Sequence, residues 1–339
     1  MPQRKNAKGA QPANPFFWKH PCLPQVSALM KTFSIGQRPS GIAEMAKEHL
    51  GTGGKRFRAL MTLQAADLLG VSQRSAIYWA AAVELIHNAT LVHDDIQDGD
   101  TTRRGRPTVW KKHGVGQAIN VGDLMLMVPY QILSCADFAP AQLRQLLGAF
   151  AHRTVETVRG QSLEMTLKDN LNFDRDTYIQ ALRGKTGQLL ALTVEGPLIL
   201  SEVDPLRASQ IASGFEALGI AFQIYDDIWD LYADKGRGQV GNDLREGKIS
   251  ALLIAHLERC PEDRMVAAEI LSKPFEEVTT EDVAFWERRF EHSGAKAACE
   301  TWAEEFVEMA VTTVPDQPLR GLVEDVATAL GLKNLKERS

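Results

Sequence analysis

Apolar residues recur at helical spacing along most of this 339-residue chain, in stretches too long for strands. Segments 39–50, 57–70, 74–97, 116–137, 140–168, 174–200, 205–233, 248–258, 263–273, 279–293, 296–313 and 317–333 read as helices, and strand-like alternation is scarce. Their ends carry glycine or proline: the glycines of 51–54, Gly70, Gly114, Pro140, Pro205, the glycines of 236–241, Pro261 and Pro315. No repeat of roughly 30–50 residues is visible, which argues against a solenoid. The expected fold is all-α, one large bundle of long helices over 25–339 around a central apolar cavity, with an arm over 1–24.

Composition narrows the function classes. A net charge of −5 gives no reason to expect nucleic acid. No apolar run approaches the roughly 20 residues of a membrane helix, and Pro129 and Tyr130 interrupt the best candidate, 124–133. Cys22, Cys135, Cys260 and Cys299 lie far apart without paired spacing, as in a reducing cytoplasm. Five prolines within 1–24, and no acidic residue before Glu44, suit a disordered arm better than an amphipathic targeting segment.

Chemistry enters at 91–100, Leu-Val-His-Asp94-Asp95-Ile-Gln-Asp98-Gly-Asp. On a helix Asp94 and Asp98 stand one turn apart on one face, with Asp95 beside them. Like charges so placed repel, and carboxylates at a helix C-terminus oppose its dipole, so a divalent cation is a natural counter-charge. Alone, this cluster reads equally well as a solvated helix end. The second segment, Phe222-Gln-Ile-Tyr-Asp226-Asp227-Ile-Trp-Asp230, repeats the pattern at the end of another apolar helix. Two such clusters facing each other across a cavity mouth would suit several Mg2+ ions and a diphosphate.

Cations accompany them. Arg103 and Arg104 follow the first cluster, and Gly53-Gly-Lys55-Arg56-Phe-Arg58 is a glycine-rich turn opening a helix, where N–H groups and positive charge can bind an anion. It lacks the spacing of a nucleotide P-loop. Lys185 and Thr186 lie within a helical segment, and Lys248 lies 18 residues after Asp230. Singly, each reads as a solvated surface charge; together they complement the carboxylates.

From about Gly53 to Leu253 these strings resemble, in order, the motifs of the trans-prenyl diphosphate synthases, the polyprenyl synthetase family. The resemblance implies the isoprenoid synthase fold, a homodimer, and head-to-tail condensation of isopentenyl diphosphate with an allylic diphosphate (dimethylallyl, geranyl or farnesyl). Asp94, Asp95, Asp98, Asp226, Asp227 and Asp230 would hold three Mg2+ ions against the allylic diphosphate. Arg103, Lys185, Thr186 and Lys248 would contact that diphosphate, while Lys55, Arg58, His87 and Arg104 would bind isopentenyl diphosphate. Gln161 and Gln223 match polar residues lining the reaction site, and Phe222 matches an aromatic near the isopentenyl group. Two positions depart from the pattern. Gly238 and Gln239 stand where a lysine is usual, leaving Lys235 or Arg237 as the nearby cation, and Glu164 replaces a common Asp.

Product length is suggested by small residues beneath the first cluster. Ala89 and Thr90 lie roughly 6–7.5 Å along the helix axis from Asp94. Relatives that stop at C15 often carry an aromatic there, so a C20 product, geranylgeranyl diphosphate, is expected. Ile86, Met125 and Met127 are candidates for the channel floor, with core packing an open alternative. A medium- or long-chain synthase, a class I terpene cyclase and a regulatory subunit are the competing functions. The second Asp-Asp-x-x-Asp and the Lys55/Arg58 turn disfavour the cyclase, and retention of both clusters disfavours the subunit.

Overall fold

The computed structural model describes residues 19–36, 40–169, 174–232, 240–314 and 319–332. These residues fall into two compact units, 19–155 with 189–212, and 156–188 with the described residues from 213 onward. Both are helical, and the structure bears out the all-α expectation. The expected arm lies largely outside the described residues, but its last residues, Leu23 and Pro24, already open a helix.

The first unit holds α1 (Leu23–Ile35), α2 (Gly41–Leu50), α3 (Phe57–Leu68), α4 (Gln73–Gln97), α5 (Val109–His113), α6 (Val115–Ser134) and the leading part of α7 (Pro140–Asp169). Periodicity alone overlooked α1, because Pro21 and Pro24 read as arm residues. Proline is tolerated in a first helical turn, where no intrahelical N–H bond is lost. Side-chain oxygens of Ser40 and Ser72 accept the Ala43 and Ser75 N–H groups and start α2 and α4. Helix α4 is the axis of this unit and packs against α1, α3 and α6. Trp79, fully buried, donates its indole N–H to the Leu192 carbonyl (3.1 Å) and meets Phe150 edge-on, ring centroids 5.8 Å apart. Truncating such a residue to Ala costs about 3–5 kcal/mol.

One connection bears directly on the site. Helix α3 begins at Arg56, in a left-handed conformation (φ 51°), without a side-chain cap of its own. The cap comes from α4: the buried Glu84 carboxylate accepts the Ala59 N–H (3.1 Å) and lies 3.6 Å from the Arg56 guanidinium. A carboxylate at a helix N-terminus is favoured by the dipole. The Gly53–Arg58 turn is thereby tied to α4 about three turns before the aspartates. After α4, Thr102–Arg103 (β1) pairs antiparallel with Arg106–Pro107 (β2) across a turn at Arg104 and Gly105, both at positive φ. This short hairpin was not expected from the sequence.

The second unit takes the rest of α7, α8 (Arg175–Leu182), a π-helical turn at Arg183–Gly187, the first residue of α9 (Gln188–Leu200), and α10 (Pro205–Tyr232) from Ser213. It continues through α11 (Asn242–Arg245), α12 (Ala251–Leu257), α13 (Arg264–Ser272), α14 (Thr280–His292), α15 (Ala295–Thr313) and α16 (Leu319–Ala329). Glycines let the π turn pass between its neighbours. A Cβ on Gly184 would lie 2.5 Å from the Gly160 Cα of α7, and one on Gly219 of α10 would lie 2.9 Å from the Gly187 Cα. Backbone therefore meets backbone on both sides of Lys185 and Thr186. Sequence reading expected unbroken helix over 174–200; the structure inserts the π turn where these contacts fall. Such turns concentrate at functional sites.

Candidate active site

In the first unit the carboxylates close α4. Asp95 is buried, and its Oδ1 accepts from Arg103, with Nε and Nη2 each at 2.6 Å. The hairpin is what turns Arg103 back onto the helix end, and Asp100 adds a second carboxylate 3.7 Å from the same guanidinium. The other oxygen of Asp95, Oδ2, is buried without a hydrogen-bond partner. Burial pushes this carboxyl up to about 6 despite Arg103, and Asp100 and Asp94 add to the rise. Asp94 and Asp98 are half-buried on either side. A buried oxygen lacking a donor, beside further carboxylates, fits a hard cation such as Mg2+, which takes oxygen ligands.

The cations gather on the Gly53–Arg58 side. The Arg104 guanidinium lies against the Gly53 carbonyl and the Gly54 Cα, so a side chain at 54 would collide with it. Arg58 is lowered from its ordinary value by burial, with Glu84 opposing, and its Nε is buried without a partner. Burial, followed by the charges of Arg58, Arg104 and Arg103, drives His87 well below the ordinary histidine value, so it is neutral at pH 7. His49 behaves alike, lowered to about 3 by burial and by Arg103, Arg104 and Arg56. Arg58 and Arg104 thus lie near neutral His87, while Lys55 is exposed on the turn. Sequence reading missed His49, Glu84 and Asp100, whose places depend on packing between helices distant in sequence.

The second unit anchors its aspartates differently. Asp227 Oδ2 accepts the Tyr178 hydroxyl (2.6 Å) and the Ala251 N–H (2.7 Å), while Gln223 donates to Oδ1 (3.3 Å). Burial pushes Asp227 up to about 6; the three hydrogen bonds pull it down and Asp226 pushes it up. Asp230 is buried and accepts the Asp243 N–H at 2.9 Å, and Asp226 is half-buried beside them. The Asp243 carboxyl is raised well above its ordinary value by burial and by Asp227 and Asp230, against the pull of Lys248. Lys185 pairs with Glu164, so the replacement of the common Asp supplies a partner for the lysine. Thr186 lies 3.5 Å from Gln223, and Lys248 is 2.7 Å from Glu246. Gln161 and Phe222 are half-buried on α7 and α10. Tyr178 and Asp243 were given no role from sequence; the one available signal was Asp243 following Gly241 at the family's Gly-x-Asp. The question of Lys235 against Arg237 lies outside the described residues.

Among the candidates for a channel floor, Ile86, Ala89 and Met125 are fully buried in the first unit. Met127 is 62% exposed, on the opposite side of α6 from Met125, so it is no floor. Two positions along a helix turn the side chain by about 200°.

A family model described as polyprenyl synthetase matches residues 39–285. Geranylgeranyl pyrophosphate synthase of Geoglobus acetivorans is 31% identical over 301 residues, 87% of this chain and 91% of that protein. The solved geranylgeranyl pyrophosphate synthetase from Pyrococcus horikoshii Ot3 matches with a TM-score of 0.81 at 28% identity, covering 90% of this chain and 95% of that one. Polyprenyl synthase from Caulobacter crescentus CB15, solved in complex with calcium and isoprenyl diphosphate, matches with a TM-score of 0.79 at 26% identity, covering 92% and 94%.

Proposed function

The chain belongs to the polyprenyl synthetase family, and from that premise we propose that it condenses isopentenyl diphosphate head-to-tail with allylic diphosphates to give geranylgeranyl diphosphate. The observation that carries this is the repeated build of the two clusters. In each, the middle aspartate is buried and held by donors while the first stays half-buried and accessible. Asp94, Asp95 and Asp98, with Asp226, Asp227 and Asp230, would hold the Mg2+ ions, three in number. When bound, these supply charge neutralisation of the allylic diphosphate as it leaves.

The protein does the rest by positioning. Arg103, Lys185, Thr186 and Lys248 grip the allylic diphosphate, spread its charge and draw it away as the allylic C–O bond breaks. Lys55, Arg58 and Arg104, with neutral His87, hold isopentenyl diphosphate so that its double bond meets the allylic carbon and forms the new C–C bond. The surplus proton leaves with the departing diphosphate. Gln161, Gln223 and Phe222 line the reacting centre, and no covalent protein intermediate is needed.

Small Ala89 above buried Ile86 and Met125 supports a C20 limit over C15; a medium or long chain is the second outcome. The test is incubation with labelled isopentenyl diphosphate, each allylic primer and Mg2+, followed by chromatography of the dephosphorylated products. A C20 peak that Ala89→Phe moves toward C15 supports the assignment. A product unchanged in Ala89→Phe removes the floor, and no elongation removes the activity. The working form is a homodimer, supported by the exposed Val115, Ile119 and Met127 on α6. A cytoplasmic location accords with four free cysteines, and no helix of the described residues is long and apolar enough to cross a membrane.

A further inference from the structure

Away from the aspartates, in the second unit, three residues of three ligand types converge where α12 ends. His256 lies in the last turn of α12, Cys260 stands just before the 3-10 turn Pro261–Asp263, and Asp263 closes that turn. One nitrogen, the sulfur and one carboxylate oxygen all lie within 4.8 Å of one another. The chain spacing, His-x3-Cys-x2-Asp, is short enough to be set by one helix end. His256 and Asp263 are buried, Cys260 is half-buried, and the group opens onto a cavity of about 400 Å³ whose wall includes His292.

The hydrogen bonds around His256 show how the group is held. Its Nδ1 is 2.9 Å from the Ser293 hydroxyl, which itself donates to the Phe290 carbonyl (3.4 Å). The other ring nitrogen, Nε2, is 2.8 Å from Asp263 Oδ2. A proton holds this pair together without metal, and an ion bound to both atoms would take its place. Burial tends to raise the Asp263 carboxyl, but hydrogen bonds from Arg289 and His256 outweigh it and hold it below its ordinary value, as a carboxylate. Histidine ligands of metals typically donate the second ring N–H to an outer partner, and Ser293, 2.9 Å from Nδ1, is placed to accept it once Nε2 binds the ion. Arg289 likewise orients the carboxylate from outside.

We propose that His256 Nε2, the Cys260 thiolate and an Asp263 carboxylate oxygen bind a borderline-soft divalent cation such as Zn2+, with a fourth position open to the cavity. Nitrogen, sulfur and oxygen donors together suit Zn2+ and not Mg2+, which separates this site from the aspartate clusters. Ligation needs only small adjustments, since metal–donor distances are roughly 2.0–2.3 Å and tetrahedral donors lie about 3.3–3.7 Å apart. Binding releases the thiol proton of Cys260, and the ion ties the end of α12 to the start of α13.

The test uses the full-length protein stripped of metal, with excess Mg2+ present so that the aspartate clusters are occupied, and titrates Co2+ as a spectroscopic probe. One equivalent should give a thiolate-to-cobalt charge-transfer band and four-coordinate visible bands, both displaced by Zn2+. Cys260→Ser should abolish the charge-transfer band, whereas Cys135→Ser, at an exposed cysteine, should leave it intact. Ser293→Ala should weaken Co2+ binding about tenfold through the lost outer hydrogen bond. Circular dichroism checks that each variant folds. A charge-transfer band absent from the wild type, or surviving in Cys260→Ser, overturns the site and leaves the proposed prenyl transfer untouched.

Discussion

The two aspartate clusters share a sequence pattern and differ in how the protein holds it. At the end of α4, buried Asp95 is held by a charge, the Arg103 guanidinium, delivered by a hairpin eight residues downstream. At the end of α10, buried Asp227 is held by neutral dipoles, from Tyr178, Gln223 and the Ala251 N–H, two of which come from distant segments. A charge gives a strong, local hold that depends on one residue. Three dipoles spread the same task, so no single loss leaves the carboxylate bare.

The largest effect should come from removing the single charge. Arg103→Ala leaves Asp95 buried without its cation, and breaking such a pair costs about 3–5 kcal/mol. Tyr178→Phe removes one of three donors and should cost about 1–3 kcal/mol. Urea unfolding of the metal-free variants measures both, and equal losses would erase the distinction between the two clusters. Next in size, Asp94→Ala and Asp226→Ala should each lower kcat at least about a hundredfold, the scale of losing one electrostatic stabiliser. EDTA should abolish turnover and Mg2+ restore it. A cluster whose first aspartate can be deleted without loss takes no part in the chemistry.

Smaller changes separate the substrates. Arg58→Ala should raise KM for isopentenyl diphosphate by about tenfold or more, with little change for the allylic primer, and Lys185→Ala should do the reverse. Steady-state kinetics with each substrate varied in turn decides it; parallel shifts would mean that the two pockets are wrongly divided. The smallest effect is on stability against pH without metal. Asp95 and Asp227 both stand at about 6 in the fold, above the ordinary carboxyl value of 3.8. Each protonated carboxyl therefore favours the folded state fully below about pH 4, and that contribution is lost as pH rises through about 6. Between pH 7 and 5 each contributes on the order of 1 kcal/mol in the acid direction. Buried neutral His49 and His87 lose stability over the same range, so the measurement is thermal unfolding in EDTA of the protein against its Asp95→Asn and Asp227→Asn variants. The protein should gain stability relative to each variant on acidification, and a difference that does not move with pH would contradict burial as the source of both shifts.

The difference between the clusters also marks what the sequence could disclose. Helices α3, α4, α7 and α10 were legible because apolar residues recur at their period and glycine or proline stops them. The carboxylates were legible because a period of 3.6 turns Asp94/Asp98 and Asp226/Asp230 into neighbours. Arg103 was visible as a nearby cation, although the two-residue strands that aim it left no periodic trace. Tyr178 and the Ala251 N–H were invisible as partners of Asp227, being 49 and 24 residues away along the chain. Met127 was misjudged because bulk was read without its face on α6. Helix α1 was lost because proline was read as a breaker where it serves as a start.

The π turn at Arg183–Gly187 has a consequence for insertions and deletions. A π turn is a helix carrying one residue more than its regular count, so removing any one of its five residues would restore an ordinary α-helix. Because the extra residue is taken up within that one wide turn, Arg175–Leu182 would keep its place and only the widening would be lost. The backbone that now meets Gly160 on one side and Gly219 on the other would be drawn in, and Lys185 and Thr186 would leave the positions those contacts fix. The segment is thus fixed in length more tightly than in composition. Descendants of this gene can exchange many side chains along these helices, but losing one codon between 183 and 187 would displace the lysine and the threonine while leaving a regular helix behind.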